Sequence, residues 1–393
     1  MLRPEEAVRV ILGEARRLEV EAAAVDPGLA GRVLAADALA GVSLPPFATS
    51  AMDGFAVRAA DLGDGQVAVA FRIAAGDRPS PLPDRTAAAI ATGAPLPDGA
   101  DSIVPIEDAV EEDGHLRAEA PRPGAWVRAA GSDVAAGDVI LATGAVLAPA
   151  GLAALAAAGV AEVTVSRRPR LAAIATGSEL QRPGRPLEPG QIYESNLTAM
   201  AVQTARAGAE LVATQVVPDD PAAIREAFAA GLRDADVVVS SGGVSVGPHD
   251  HVKPVLEELG VHERFWRVAH RPGKPLWFGA AEDGTLVFGL PGNPVSSLVC
   301  FELFVRPALV AMQGAAAPAR ARARLAEPIA RLATRDHAVR CSLVAGEDGM
   351  RLVAQSAQDS HLIAHAAVAG AIAMIPAGEG VVEAGTVVEY VLL

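Results

Sequence analysis

Between Pro169 and Met312 the chain alternates short apolar runs with amphipathic stretches, and few folds can accommodate that rhythm. Leu171–Thr176, Leu211–Val217, Val237–Ser240 and Leu286–Leu290 read as strands. Ser195–Ala207, Pro221–Leu232, His251–Leu259 and Pro294–Met312 read as helices. The strands are too uniformly apolar to keep one face in water, so the pattern predicts a parallel sheet with helices on both faces, a three-layer α/β domain over 168–312. Ligands of such sheets bind outside the carboxyl ends of the strands. The turns that follow these strands are therefore where a site is expected.

The flanking regions differ in character. Residues 1–43 read as helices, and Met1–Val20 mixes Arg3, Glu5, Glu6, Arg9, Glu14, Arg16 and Arg17 with apolar residues at helical spacing. That is an amphipathic helix rather than a signal peptide, which needs an unbroken apolar run. Residues 44–133 are rich in Pro and Gly with short β-type runs such as Val67–Ile73, a small β-rich module. Residues 134–167 give a turn entering a strand at Asp133–Ile140, an Ala-rich helix at 150–158 and a strand near Val163. Residues 313–393 carry β-type runs at Ala338–Val344, Ala371–Ile375 and Val387–Leu392, a small all-β domain. Val139–Ala161 is uncharged and long enough to span a bilayer, but Gly144, Pro149, Gly151 and Gly159 break it into a buried strand, a turn and a short helix. We therefore expect a soluble protein with no membrane role. A net charge of −14 argues against a nucleic-acid binder, and two cysteines, Cys300 and Cys341, fit a reducing cytoplasm without forming a metal cage.

Three polar turns fall at strand ends. Ser240–Gly247 contains Ser241, Gly242, Gly243, Ser245 and Gly247; its glycines let backbone approach a ligand, and the helix that follows favours a phosphate. Thr176-Gly177-Ser178-Glu179 supplies hydroxyls and a carboxylate. Pro291-Gly292-Asn293-Pro294 is a stiff turn ahead of a helix bearing Ser296 and Ser297. Each alone reads equally as an ordinary βα turn, but together they point to one anion pocket. Arg267, His270, Arg271 and Lys274 place four groups able to carry positive charge within eight residues of an acidic chain, the complement such a pocket requires, although a solvated basic loop has the same composition. Asp53, Asp133, Glu179, Asp219, Asp236 and Asp250 also lie at turns. Carboxylates beside bound phosphate make sense with Mg²⁺ between them, and Asp250, then Glu179, are the leading ligand candidates. Asp250 reads equally as a helix cap and Asp219 as a helix start, while Asp236 precedes its strand and is expected at the opposite, structural edge.

Two further runs complete the pattern: Ser50-Ala-Met-Asp-Gly-Phe-Ala-Val57 after Leu44-Pro-Pro-Phe47, and Thr92-Gly-Ala-Pro95. With the three turns and Arg271-Pro-Gly-Lys-Pro275, in that order, the chain resembles the molybdopterin molybdenumtransferases over nearly its whole length. The resemblance implies that residues 44–133 are inserted in an N-terminal helical domain made of 1–43 and 134–167, and that 313–393 is a small β-barrel-like domain. It implies insertion of molybdate into adenylylated molybdopterin (molybdopterin-AMP) with release of AMP, dependence on Mg²⁺, and a cytoplasmic homodimer whose pockets are shared between subunits. Asp53 and Thr92 would reach the partner's pocket, Arg340 and Ser360 would handle molybdate, and upstream molybdopterin-handling enzymes would be partners. Arg267 and Arg271 stand where Lys is common in the family, which excludes a lysine base there. Phe55 stands where Tyr is frequent, which excludes a phenol. A molybdopterin adenylyltransferase and a non-catalytic molybdopterin-binding scaffold are the alternatives; the extra modules and the intact charged sets disfavour them.

Overall fold

The computed structural model describes residues 1–63, 65–243, 251–316, 320–347 and 349–393, in two units: 1–21 with 166–393, and 22–165. Ser245, Gly247 and Asp250 lie outside the described residues.

The first unit is built on a six-stranded sheet. Its strands are β1 (Arg170–Thr176), β2 (Glu210–Val217), β3 (Val237–Ser241), β4 (Val261–Trp266), β5 (Trp277–Ala281) and β6 (Leu286–Leu290), in spatial order β2-β1-β3-β6-β5-β4. β2, β1, β3 and β6 are mutually parallel, but β5 runs antiparallel to both of its neighbours. The all-parallel expectation is thus corrected. Val261–Trp266 places His262, Glu263 and Arg264 in succession, so it lacks the apolar run that marks a buried strand, and at the sheet edge it does not need one. The helices are α1 (Pro4–Glu14), α2 (Asn196–Arg206), α3 (Pro221–Asp234), α4 (Val252–Glu258) and the continuous Pro294–Met312, α5, which relaxes into a π-helical turn at Phe301–Val305. In α3, Asp220 caps the start, Pro221 occupies the first turn, and Ile224, Ala227, Phe228 and Gly231 are buried at helical spacing. One helix, α5, is long and apolar enough to cross a membrane, with 72% of its apolar window buried in the protein.

Residues 1–43 are not a set of helices. Only Pro4–Glu14 is α-helical, and it buries Ala7 and Ile11 in the core of the α/β unit. Beyond it come the strand Val20–Ala24, a single 3-10 turn at Pro27–Leu29 and the strand Ala38–Leu39. Pro27, Gly28 and the left-handed Gly31 (φ +78°) interrupt any helical run, and Val20, Val25, Val33 and Val42 favour extended backbone.

In the same unit β7 (Ala321–Leu325), β8 (Asp336–Gly346), β9 (Gly349–Ala354), β10 (Ala371–Ile375) and β11 (Val387–Leu392) close a five-stranded barrel in the order β8-β9-β7-β11-β10-β8. Val339, Cys341, Leu352, Ala373 and Ile375 fill it. The short strand His270–Arg271 pairs with β8, so the basic segment of the sequence is tied to the barrel.

The second unit holds a six-stranded sheet in which Gly54–Val57 lies between Ser102–Pro105 and Thr86–Ile90. Separately, Leu29, Leu34 and Ala38 share a core with Leu147, Leu155, Val163 and Val165.

Candidate functional site

β1 and β3 are adjacent, yet the chain leaves β1 for β2 on one side before returning to β3 on the other. Their carboxyl ends therefore frame the switch point of the sheet, where loops diverge and leave a crevice. Ala175, Ser241 and Leu290 are register partners across β1, β3 and β6, which sets the three polar turns side by side. A cleft of about 560 Å³ opens there, lined by Thr176, Glu179, Ser241, Gly242, Gly243, Pro291, Gly292 and Asn293.

The glycines are required by contact. Gly242 sits at φ +96° and donates its N–H to the Leu290 carbonyl at 3.1 Å; a methyl group there would meet the Thr176 carbonyl oxygen at 2.6 Å. Two residues absent from the sequence expectations complete the cleft. Asn196 Nδ2 donates to Ser241 Oγ at 2.6 Å and to the Gly292 carbonyl at 2.8 Å, clasping two turns together. Glu194 Oε1 accepts from the Leu197 N–H at 2.8 Å and so caps α2, whose first residues line the cleft. The only signal in the sequence was Glu194-Ser195-Asn196 ahead of a helical run, a common capping pattern without chemistry of its own.

Of the other expected residues, Ser178 and Asp219 bind one another: the Ser178 N–H donates to Asp219 Oδ2 at 3.2 Å and the Asp219 N–H to Ser178 Oγ at 3.1 Å. The pair braces the turns after β1 and β2, and neither residue lines the cleft. The Glu179 carboxylate packs against Gly177, where a methyl group would come within 2.7 Å of it. Among the described residues no three His, Cys, Asp or Glu groups cluster as a metal cage. Ser296 is buried in the first turn of α5. Ser360 Oγ accepts from Asn293 Nδ2 at 2.9 Å, and the Ser360 carbonyl accepts from the Val295 N–H at 3.1 Å, so the turn after β9 joins the cleft wall.

The basic segment divides. Arg267, at φ +73°, stacks its guanidinium 3.9 Å from the centre of the Trp266 ring, which also carries Lys253 Nζ at 2.9 Å. His270 is fully buried, with Nδ1 at 2.6 Å from the Pro272 carbonyl; burial pushes its pKa down to about 4, so it adds no charge at neutral pH and the expected cluster of four cations is corrected to three. Arg271 Nη2 lies 3.9 Å from Asp359, and Lys274 is exposed just before Pro275, which lines the cleft. Arg340 is buried; Nη2 donates to the Ala357 carbonyl at 2.6 Å, while Nε and Nη1 have no partner. Burial, partly offset by Asp359, lowers its pKa.

At the other edge Asp236 precedes β3, as expected, and accepts from Arg167 Nη1 and Nη2 at 2.7 and 2.9 Å and from the Arg170 N–H at 2.7 Å. In the second unit Asp53 and Thr92 meet: the Thr92 N–H and Oγ1 donate to Asp53 Oδ1 at 2.7 and 3.0 Å, which holds the Asp53 carboxyl below its ordinary pKa. Phe55 is buried in that unit's core, and Asp133 is exposed.

An α/β domain with an anion-type cleft at its switch point, joined to a closed β-barrel, is the class these features define. Residues 2–159 match the MoeA N-terminal region (domain I and II), 172–311 the probable molybdopterin binding domain and 322–393 the MoeA C-terminal region (domain IV). The chain is 36% identical to a molybdopterin molybdenumtransferase of Synechococcus elongatus over 98% of this chain and 97% of that one. It is 40% identical to the Haemophilus influenzae molybdopterin molybdenumtransferase over 72% and 71%. A crystal structure of a molybdopterin biosynthesis MoeA protein from Pyrococcus horikoshii superposes with a TM-score of 0.80 at 30% identity, covering 100% of this chain and 99% of that one. The chain belongs to the MoeA family of molybdopterin molybdenumtransferases.

Proposed function

We propose that this protein inserts molybdate into adenylylated molybdopterin, releasing AMP and forming the molybdenum cofactor. The observation that carries the reading is the cleft at the switch point, with two glycine-shaped turns and the N-terminus of α2 facing it, in a chain of this family. The adenylylated pterin lies along Thr176–Glu179, Ser241–Gly243 and Pro291–Asn293, with its phosphates on backbone N–H groups and neutralised by Arg271 and Lys274. Molybdate lies toward Arg340 and Ser360; the dithiolene sulfurs belong to the substrate, so the buried thiols Cys300 and Cys341 are not needed. Most of the rate enhancement comes from holding two anions together in one neutralising site.

Glu179 fits a Mg²⁺ ion that also takes phosphate oxygens and water, because it is an exposed carboxylate residue of the cleft lining and Mg²⁺ needs few protein ligands. We assign Asp250 as its companion from the sequence. When bound, Mg²⁺ neutralises the charge that develops on the leaving phosphate. We further propose a cytoplasmic homodimer in which the Asp53–Thr92 turn serves the partner's cleft.

Incubating the protein with adenylylated molybdopterin and molybdate, with and without Mg²⁺, tests the reading: AMP and metallated cofactor should appear together and only with Mg²⁺. AMP formation without metallation, or adenylylation of free molybdopterin, would count against it. For the shared site, Asp53→Ala and Asp250→Ala chains, each inactive alone, should regain about half the wild-type activity per heterodimer when mixed, since one pocket then carries neither defect. Inactive heterodimers would refute sharing.

A further inference from the structure

Two neighbouring side chains keep four polar atoms buried and unpartnered: Nε and Nη1 of Arg340, and Nε2 and Oε1 of Gln355. They are neighbours by sheet register. Cys341 pairs with Ala354 across β8 and β9, and one step on, the Gln355 N–H donates to the Arg340 carbonyl at 2.9 Å. In an antiparallel ladder, residues directly opposite present their side chains on the same face.

The backbone here is fully satisfied. Gln358 Oε1 accepts from the Arg340 N–H at 3.0 Å, and Gln358 Nε2 donates to the carbonyls of Arg340 and Gln355, each at 2.9 Å. Only the two side-chain ends lack partners. Desolvating a guanidinium and an amide without partners is unfavourable, and such groups are ordinarily paired unless a ligand completes them. The Asp359 carboxylate, whose charge also acts on Arg340, lies 3.9 Å from Arg271 Nη2.

We propose that Gln355 is a specificity-determining residue of the oxyanion subsite: its amide N–H and the free Nε and Nη1 of Arg340 form one donor set for a tetrahedral dianion. This rests on the reading that Arg340 faces molybdate. The neutral amide adds a donor without adding charge, which suits an oxyanion already neutralised by Arg340, Arg271 and Lys274. The segment Ala357–Asp359 holds the guanidinium through Nη2, which donates to the Ala357 and Asp359 carbonyls at 2.6 and 3.5 Å and leaves Nε and Nη1 for the anion.

Gln355→Met keeps the side-chain length and removes both unpartnered atoms. Tungstate titrated calorimetrically into the full-length protein should bind about tenfold more weakly to this variant, the loss of one hydrogen bond to a charged group. The anion-free variant should melt about 2 °C higher, because two buried polar atoms are gone. Gln355→Glu, which sets a carboxylate against Arg340, should abolish detectable tungstate binding. Unchanged affinity in Gln355→Met, or weakening accompanied by a lower Tm, would overturn the proposal, the second outcome marking a packing role. Arg340→Met separates this from the reading beneath it. Loss of tungstate in Arg340→Met alone leaves the anion site standing without Gln355, whereas undiminished binding in Arg340→Met removes the anion site and Gln355 with it.

Discussion

The two edges of the central sheet are made from the same strands and differ in one respect, which groups are left open. At the amino edge Asp236 accepts three hydrogen bonds at 2.7–2.9 Å, and Arg167 spans it with both terminal nitrogens. At the carboxyl edge the same strand, β3, runs into Ser241-Gly242-Gly243 and a cleft of about 560 Å³. Both edges carry carboxylates and cations, so charge does not separate them. Satisfaction does: a group whose partners are all in the chain stabilises the fold, and one that faces a cleft is available to a ligand. Asp236 belongs to the first kind and Glu179 to the second.

The sharpest break of this contrast is Gly242→Ala. At φ +96°, with the Thr176 carbonyl 2.6 Å from the added methyl, the turn must shift at the cleft wall. AMP release should fall by about 100-fold or more, since displacement by about 1 Å at a reacting centre has that scale. The comparison fails if the variant keeps wild-type turnover. Its counterpart is Asp236→Ala, which leaves the Arg170 N–H without its acceptor and Arg167 with only Glu19 and the Arg168 carbonyl. Stability to urea should fall by about 1–2 kcal/mol, while turnover per folded molecule is retained. A variant that is stable but inactive would move Asp236 into the site.

The same distinction marks what the sequence could and could not disclose. The parallel strands were legible because Leu171–Thr176 and Leu286–Leu290 are apolar on both faces, which only a covered sheet permits. β4 was not, because an edge strand such as Val261–Trp266 can carry His, Glu and Arg in a row. The turns of the cleft were readable because Gly and Pro act through the backbone. Asn196 was invisible, since an amide before a helix has the same spelling whether it clasps two turns or merely caps. The count of cations was wrong for a related reason: composition supplies a histidine, but only burial decides that His270 stays neutral. Residues 1–43 carry apolar residues that satisfy helical spacing throughout, yet Pro27, Gly28 and Gly31 confine the helix to Pro4–Glu14.

Acid titration sharpens the comparison by placing the two edges in different pH windows. His270 lies on the segment that follows β4 toward the cleft, and burial holds its pKa near 4 against an ordinary value of 6.5. The unfolded chain takes up its proton first, so His270's contribution is complete above pH 6.5 and is lost as pH falls toward 4. The loss should be on the order of 3 kcal/mol, and His270→Met should remove that part of it, leaving the part due to His337, whose pKa burial also lowers to about 4. For Asp236, burial raises the carboxyl pKa but Arg167 and the Arg170 N–H outweigh it, so its pKa is lowered. Its stabilisation is present above the ordinary carboxylate range and is lost only as pH falls through the lowered value. Urea titrations at successive pH values should therefore show two steps, the upper made smaller by His270→Met and the lower made smaller by Asp236→Asn. A single step below pH 4 in the wild type would contradict the assignment to His270.

The smallest expected effect tests whether position within the basic segment matters or only its total charge. Arg267, Arg271 and Lys274 carry equal charge at neutral pH, but the Arg267 guanidinium lies 3.9 Å from the Trp266 ring centre and is engaged there. Lys274 is exposed beside Pro275 at the cleft wall, free to reach a phosphate. If proximity decides, Lys274→Ala should raise the KM for adenylylated molybdopterin about tenfold, the value of one charge-assisted hydrogen bond. Arg267→Ala should raise it by less than about threefold, on the scale of a screened charge beyond contact. Raising ionic strength should shrink the Arg267 effect toward nothing, because a distant charge is screened, and leave most of the Lys274 effect, because a contact is not. Equal effects at low salt that vanish together at high salt would mean that the segment acts only as a field, and that the division between engaged and available cations has no bearing on binding.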